Sequence, residues 1–93
     1  MPEYLNKKGN MSLRLKIVSP EKVVFNGEVE SVTVPGTSGV FEILTGHAPI
    51  ISSLQQGIVT YQTGDGSEKT TLPIGGGFVA VQKNEVSLCV ETS

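Results

Sequence analysis

The 93-residue sequence has no tryptophan, one cysteine (Cys89), one histidine (His47) and two alanines, Ala48 and Ala80. A single thiol closes no intramolecular disulfide, so a secreted disulfide scaffold is excluded and a reducing compartment fits. One thiol and one imidazole make no zinc cluster, so no metal site is expected. Without tryptophan there is no aromatic platform for a saccharide, and Glu28 with Glu30, which one strand face would share, read as a solvated face instead of a glycosidase pair. Seven Lys and Arg, scattered apart from Lys7-Lys8, stand against nine Asp and Glu. Phosphate backbones call for a dense basic face, so no nucleic-acid partner is expected. No apolar run approaches the roughly 18 residues of a membrane span. Nor does a basic start with an apolar stretch mark a signal peptide, so the expectation is a soluble, unexported chain without direct membrane insertion.

What the sequence has in quantity is β-branched residues: twelve Val, six Ile and eight Thr. Side chains stiff at χ1 suit a pleated surface and argue against an all-helical fold. A chain of this length buries about 64% of its unfolded surface, enough for one modest core.

Residues 1–11 are polar and aperiodic and read as a flexible tail; residues 12–93 read as one domain. Leu13, Leu15 and Ile17 alternate with Arg14 and Lys16 as a strand with one buried face, broken at Pro20. Lys22 to Phe25 reads as a short strand ended by an Asn26-Gly27 turn. Glu28 to Val34 alternates with a slip in parity, the mark of a twist or bulge. Pro35 to Gly39 reads as a loop, Thr45 to Pro49 as a tight turn, and Ile50 to Leu54 as one helical turn started by Pro49. Gly57 to Thr63 and Glu68 to Ile74 flank Gly64-Asp65-Gly66-Ser67, the strongest hairpin signal. Gly75-Gly76-Gly77, a strand through Phe78 to Val81, a Lys83-Asn84 turn and a last strand from Glu85 to Glu91 follow. Strands at eight- to twelve-residue intervals predict an all-β fold, an antiparallel sandwich or barrel.

Few residues carry chemistry. Gly75 to Ala80 matches the dinucleotide string G-x-G-x-x-A, but a strand follows it where a helix is needed, so the glycines read as a bend or close approach. Cys89 lies in regular strand, outside the electropositive settings that activate thiols, so a Cys/His hydrolase built on it with His47 has no positive support. His47 is either a turn residue satisfying local backbone or a residue at a protein interface. The loop-rich stretch from Pro35 to Leu54 holds Val40, Phe41, Ile43, Leu44, Ile50 and Ile51, and either the domain's own core or another protein covers it.

These residues carry a family likeness. Val18-Ser19-Pro20-Glu21, Phe25-Asn26-Gly27, Val32 to Gly36 with Gly39, Gly46-His47-Ala48-Pro49-Ile50, Leu54, Gly57 and Gly76-Gly77-Phe78 resemble, in order and spacing, the epsilon subunit of rotary proton-translocating ATP synthases. The likeness runs from about Leu13 to the C-terminus. It implies an antiparallel β-sandwich of about ten short strands, noncatalytic and without cofactor or small-molecule ligand, in the central stalk on the cytoplasmic face of a bacterial plasma membrane. The implied partners are the gamma subunit, through Ser19, His47, Ala48, Pro49, Ile50, Ile51 and Ser52, and the membrane c-ring, through Gly36, Thr37, Ser38, Gly39 and Val40. Family members usually continue into a C-terminal helical hairpin that inhibits ATP hydrolysis or binds ATP. Ending at Ser93, this chain reads as a short form or as one cut to the sandwich. The rival class is a stand-alone ligand- or protein-binding β-sandwich module.

Overall fold

The described residues of the computed structural model, 13–63 and 69–92, form eight strands and no helix. The strands are β1 (Leu13–Val18), β2 (Val23–Val29), β3 (Ser31–Gly36), β4 (Gly39–Ile43), β5 (Ile50–Leu54), β6 (Gly57–Gln62), β7 (Thr70–Gln82) and β8 (Glu85–Thr92). The expected tail at residues 1–11 and the Gly64-Asp65-Gly66-Ser67 turn lie outside the described residues.

Two layers share β7. Its first half pairs with β6, Tyr61 opposite Thr70 through Gly57 opposite Ile74. Its second half pairs with β5 on one side and β8 on the other. One layer is therefore β2-β1-β8-β7-β5, and the other is β4-β3-β6-β7. Every pairing is antiparallel except β1 with β8, which run parallel because the whole domain intervenes as their connection.

The alternation read from the sequence produces the core. Leu13, Leu15 and Ile17 of β1 and Val86, Leu88 and Val90 of β8 are buried from one layer; Val32, Val34, Ile43 and Val59 meet them from the other. The parity slip between Glu28 and Val34 is where the chain changes layers. Val29 closes β2 inward, Glu30 bends and donates its N–H to the Gln62 carbonyl at 2.7 Å, and β3 resumes with Val32 inward.

The expected sandwich is present, with eight strands among the described residues instead of about ten, and several local expectations give way to pairing. Asn26-Gly27 is no turn: Asn26 lies opposite Lys16 and Gly27 opposite Leu15 within β2. A turn dipeptide stays extended when a neighbouring strand offers a ladder, and the Phe25 ring covers Gly27, lying 3.1 Å from where a Cβ would stand. Ile50 to Leu54 is a strand instead of a helical turn, because five residues cannot nucleate a helix against the pairing supplied by β7. Pro35, Gly36 and Gly39 belong to strands, leaving Thr37-Ser38 as a two-residue hairpin turn. The two strands expected on either side of Gly75-Gly76-Gly77 are one 13-residue strand whose register with β8 shifts between Ile74 and Gly76.

Tyr61 of β6 and Phe25 of β2 close one end of the core, ring centroids 4.6 Å apart and tilted by 43°. Burial pushes the Tyr61 phenol above its ordinary pKa of 10.0. Above pH 10 the unfolded phenol ionises before the folded one, so the fold binds more protons and loses stability as pH rises through that window. Tyr61→Phe is expected to flatten the alkaline limb of the stability profile and leave the neutral limb in place, as read by urea unfolding from pH 7 to 11. An unchanged alkaline limb would assign the loss to another group.

Candidate protein-contact face

Strand alternation gives the layer β2-β1-β8-β7-β5 an outer face, and the register sorts it into rows. Gln82, Glu85, Arg14 and Glu28 form a charged row across four strands. The next row runs Ile51, Ala80, Ser87, Lys16 and Asn26. The third is mainly apolar: Ser53, Phe78, Cys89, Val18 and Val23. Ile51 is 83% exposed and Phe78 59%. Residues this large and apolar on neighbouring strands form a patch, unlike single exposed aliphatics scattered over a surface.

Both ends of the face carry residues singled out from the sequence. Ser19 sits where β1 ends, beside Phe78, Cys89 and Pro20 in a depression of about 450 Å³. Its amide donates to the Lys22 carbonyl at 2.9 Å, and its hydroxyl lies 3.3 Å from the Lys22 N–H, so the side chain holds the turn around Pro20. At the other end, Pro49 and Ile51 line a depression of about 560 Å³ with Ala80, Gln82 and Ser87.

His47 occupies the loop between β4 and β5. Its amide donates to the Leu44 carbonyl at 3.2 Å, and Gly46 before it takes φ 79°. The ring lies 6.4 Å from that of Phe41. Its Nδ1 is 2.8 Å from the Ala48 carbonyl, a group that only accepts, so Nδ1 carries the proton.

The remaining predicted residues gather at the β3–β4 hairpin. Gly36 and Gly39 face each other across the Thr37-Ser38 turn, and Val40 is 70% exposed beside it. A Cβ on Gly36 would stand 2.7 Å from the Gly39 carbonyl oxygen and 2.9 Å from the Phe41 ring, so glycine lets the ring fold over the hairpin. The Thr37 amide donates to the Ser53 carbonyl at 3.1 Å and ties the turn to β5. Ile50 and Ser52 pair with Val81 and Val79, on the side of β5 opposite Ile51, and line a depression of about 370 Å³ with Gly36, Ser38 and Val40. The set that the resemblance assigns to gamma is thus split. Ser19 and Ile51 mark the ends of the outer face, His47, Ala48 and Pro49 form the loop beside it, Ser52 turns toward the hairpin, and Ile50 lines both the hairpin depression and the one it shares with Pro49 and Ile51.

Phe78 and Cys89 belong to this face and were not singled out as site residues. The signal for them was in the alternation: with Val79 and Val90 inward, their neighbours in sequence have to face out. Cys89 is an exposed free thiol. Among the described residues, no three of His, Cys, Asp and Glu come together to hold a metal ion.

Comparison with known proteins agrees with this architecture. The sequence profile of the family described as ATP synthase, Delta/Epsilon chain, beta-sandwich domain matches residues 12–93. The ATP synthase epsilon chain of Chlorobaculum tepidum is 44% identical over 77 residues, 83% of this chain and 86% of that one. That of Leptospira interrogans serovar copenhageni is 38% identical over 79 residues, 85% of this chain and 61% of the relative's length. In fold, the chain is similar to one in the cryo-EM structure of the Euglena gracilis mitochondrial ATP synthase, OSCP/F1/c-ring, with a TM-score of 0.80 at 21% identity, covering 97% of this chain and 57% of that one. The chain belongs to the family of ATP synthase delta and epsilon chains, of which residues 12–93 are the β-sandwich domain.

Proposed function

We propose that the protein is a noncatalytic rotor part of a proton-driven ATP synthase, held between the gamma subunit and the membrane c-ring at the cytoplasmic face of a bacterial plasma membrane. The observation that carries this reading is the outer face of β5, β7, β8 and β1, whose ends at Ile51 and Ser19 are two of the positions assigned to gamma by resemblance. On this reading gamma covers Ile51, Ala80, Phe78 and Cys89 and reaches the His47 loop. The β3–β4 hairpin with Val40 meets the ring, and Ile50 and Ser52 stand behind it.

Such a part needs no bond-making chemistry. It has to turn as one body with its neighbours while torque passes through it, so stiffness and adhesion are the properties that count. Stiffness comes from two layers sharing the continuous strand β7. For adhesion, a permanent interface buries more than about 1,000 Å² in total, so the contact has to extend over several strands and the adjoining loop.

Titration calorimetry of the full chain with purified gamma subunit tests this reading. The expected result is a one-to-one complex that survives gel filtration. Absence of binding heat together with separate elution would overturn the assignment and favour a stand-alone module.

A further inference from the structure

We propose that Asn84 is a positioning residue for the His47 loop: its side-chain oxygen, delivered by the β7–β8 hairpin, fixes the loop that carries His47 to its partner. This rests on the reading of His47 as part of the gamma contact.

Lys83 and Asn84 form the two-residue turn between Gln82 and Glu85, with φ of 50° and 61°. Positive φ at both positions is the type I′ hairpin turn, in which glycine at the second position serves the backbone best. Asparagine tolerates that conformation and keeps a side chain, and the side chain has a use elsewhere. Its Oδ1 accepts the Gly46 N–H at 2.8 Å, across 38 residues of sequence. The Asn84 backbone carbonyl accepts the Arg14 N–H at 2.8 Å. One residue therefore joins the β7–β8 hairpin, the start of β1 and the loop between β4 and β5.

That loop needs such a tie. From Leu44 to Pro49 the chain has left the β4 ladder and not yet entered that of β5. Its other described hydrogen bonds, His47 N–H to the Leu44 carbonyl and His47 Nδ1 to the Ala48 carbonyl, stay inside the loop. They shape the turn without fixing it to the domain. The Asn84 bond does fix it, one residue before His47. A loop held in its bound position before the partner arrives loses less freedom on binding, which raises affinity without adding a contact.

Asn84→Gly removes the acceptor and keeps the turn geometry; Asn84→Asp restores an oxygen to the Gly46 N–H. In the full chain, Asn84→Gly is expected to speed amide hydrogen exchange at Gly46 roughly three- to tenfold, the range set by the loss of one net hydrogen bond. The urea midpoint should hold or rise. Affinity for purified gamma should fall by a similar factor, roughly three- to tenfold. Asn84→Asp should return both readouts toward those of the parent. Unchanged Gly46 exchange in Asn84→Gly would overturn the clamp itself. Faster exchange with undiminished gamma affinity would overturn the positioning role and leave only a local brace. If the parent chain does not bind gamma, the functional reading fails together with the positioning role, and Gly46 exchange alone decides whether the clamp exists.

Discussion

Gly77→Ala is expected to cost the domain about 3 kcal/mol or more, a large share of the roughly 5–15 kcal/mol that holds a small domain together. Two separate causes add. Gly77 takes φ 146°, in the extended positive-φ region essentially reserved for glycine, where a side chain costs about 1–3 kcal/mol. In addition, a Cβ there would collide with the Cys89 carbonyl oxygen and lie 2.9 Å from the Val90 Cα. Those atoms are backbone of the paired strand β8, so relief requires opening the ladder that joins Gly77 to Val90 and Phe78 to Cys89. The neighbouring glycines make the argument testable as a series. At Gly76, φ is 150° but the nearest atom, the Leu54 carbonyl oxygen, is 3.5 Å away, so only the backbone penalty of about 1–3 kcal/mol applies. At Gly75 the nearest atom is 3.7 Å away and φ lies outside the glycine-favouring region, so alanine should change little. Urea midpoints falling in the order Gly75→Ala, Gly76→Ala, Gly77→Ala are the expected result. Equal midpoints across the three would mean that the close approach of β7 to β8 is not what the glycines are for.

The same strand shows what a sequence discloses and what it conceals. β1 and β8 were legible because each buries one face, so Leu13, Leu15, Ile17 and Val86, Leu88, Val90 alternate cleanly with polar neighbours. The Lys83-Asn84 turn was legible because two residues of suitable type sit between two such runs. Gly75-Gly76-Gly77 was legible as a bend or close approach and not as continuity, since nothing local says that one strand serves both layers. Asn26-Gly27 and Ile50 to Leu54 were misread for the reason behind most β-sheet errors. The pairing that decides their state, with β1 for one and with β7 for the other, is not written in the segment itself: a turn dipeptide or a Pro-led pentapeptide looks the same whether or not a ladder is there to hold it extended. The candidate face follows the same rule. Single residues such as Ser19, His47 and Ile51 were named from the resemblance, but the row joining Ser53, Phe78, Cys89 and Val18 exists only once four strands are in register. Asn84 read as a turn residue, because its bond to Gly46 spans 38 positions that no local pattern connects.

Ile51→Asp is expected to weaken gamma binding by about 2 kcal/mol or more, roughly 30-fold in Kd, without unfolding the domain. At 83% exposure Ile51 contributes little to the free chain, so the substitution leaves a solvated carboxylate on an intact sheet. The penalty appears only when a partner covers the face and strips water from a charge that Ala80 and Ser87, its neighbours across the register, do nothing to neutralise. His47→Asp at the adjoining loop is expected to act in the same direction for the same reason. Loss of binding alone would not distinguish a specific face from general dependence on exposed apolar surface. Ile58 supplies the control: it is 53% exposed but lies on β6, in the other layer. Ile58→Asp should leave gamma affinity within about twofold of the parent, as a surface change away from the interface would. If Ile51→Asp binds gamma as tightly as the parent, or if Ile58→Asp is equally damaging, the outer face of β5, β7, β8 and β1 is not where gamma sits. The proposed gamma contact would then have to lie elsewhere on the sandwich, and the part of the rotor reading that rests on this face would fall.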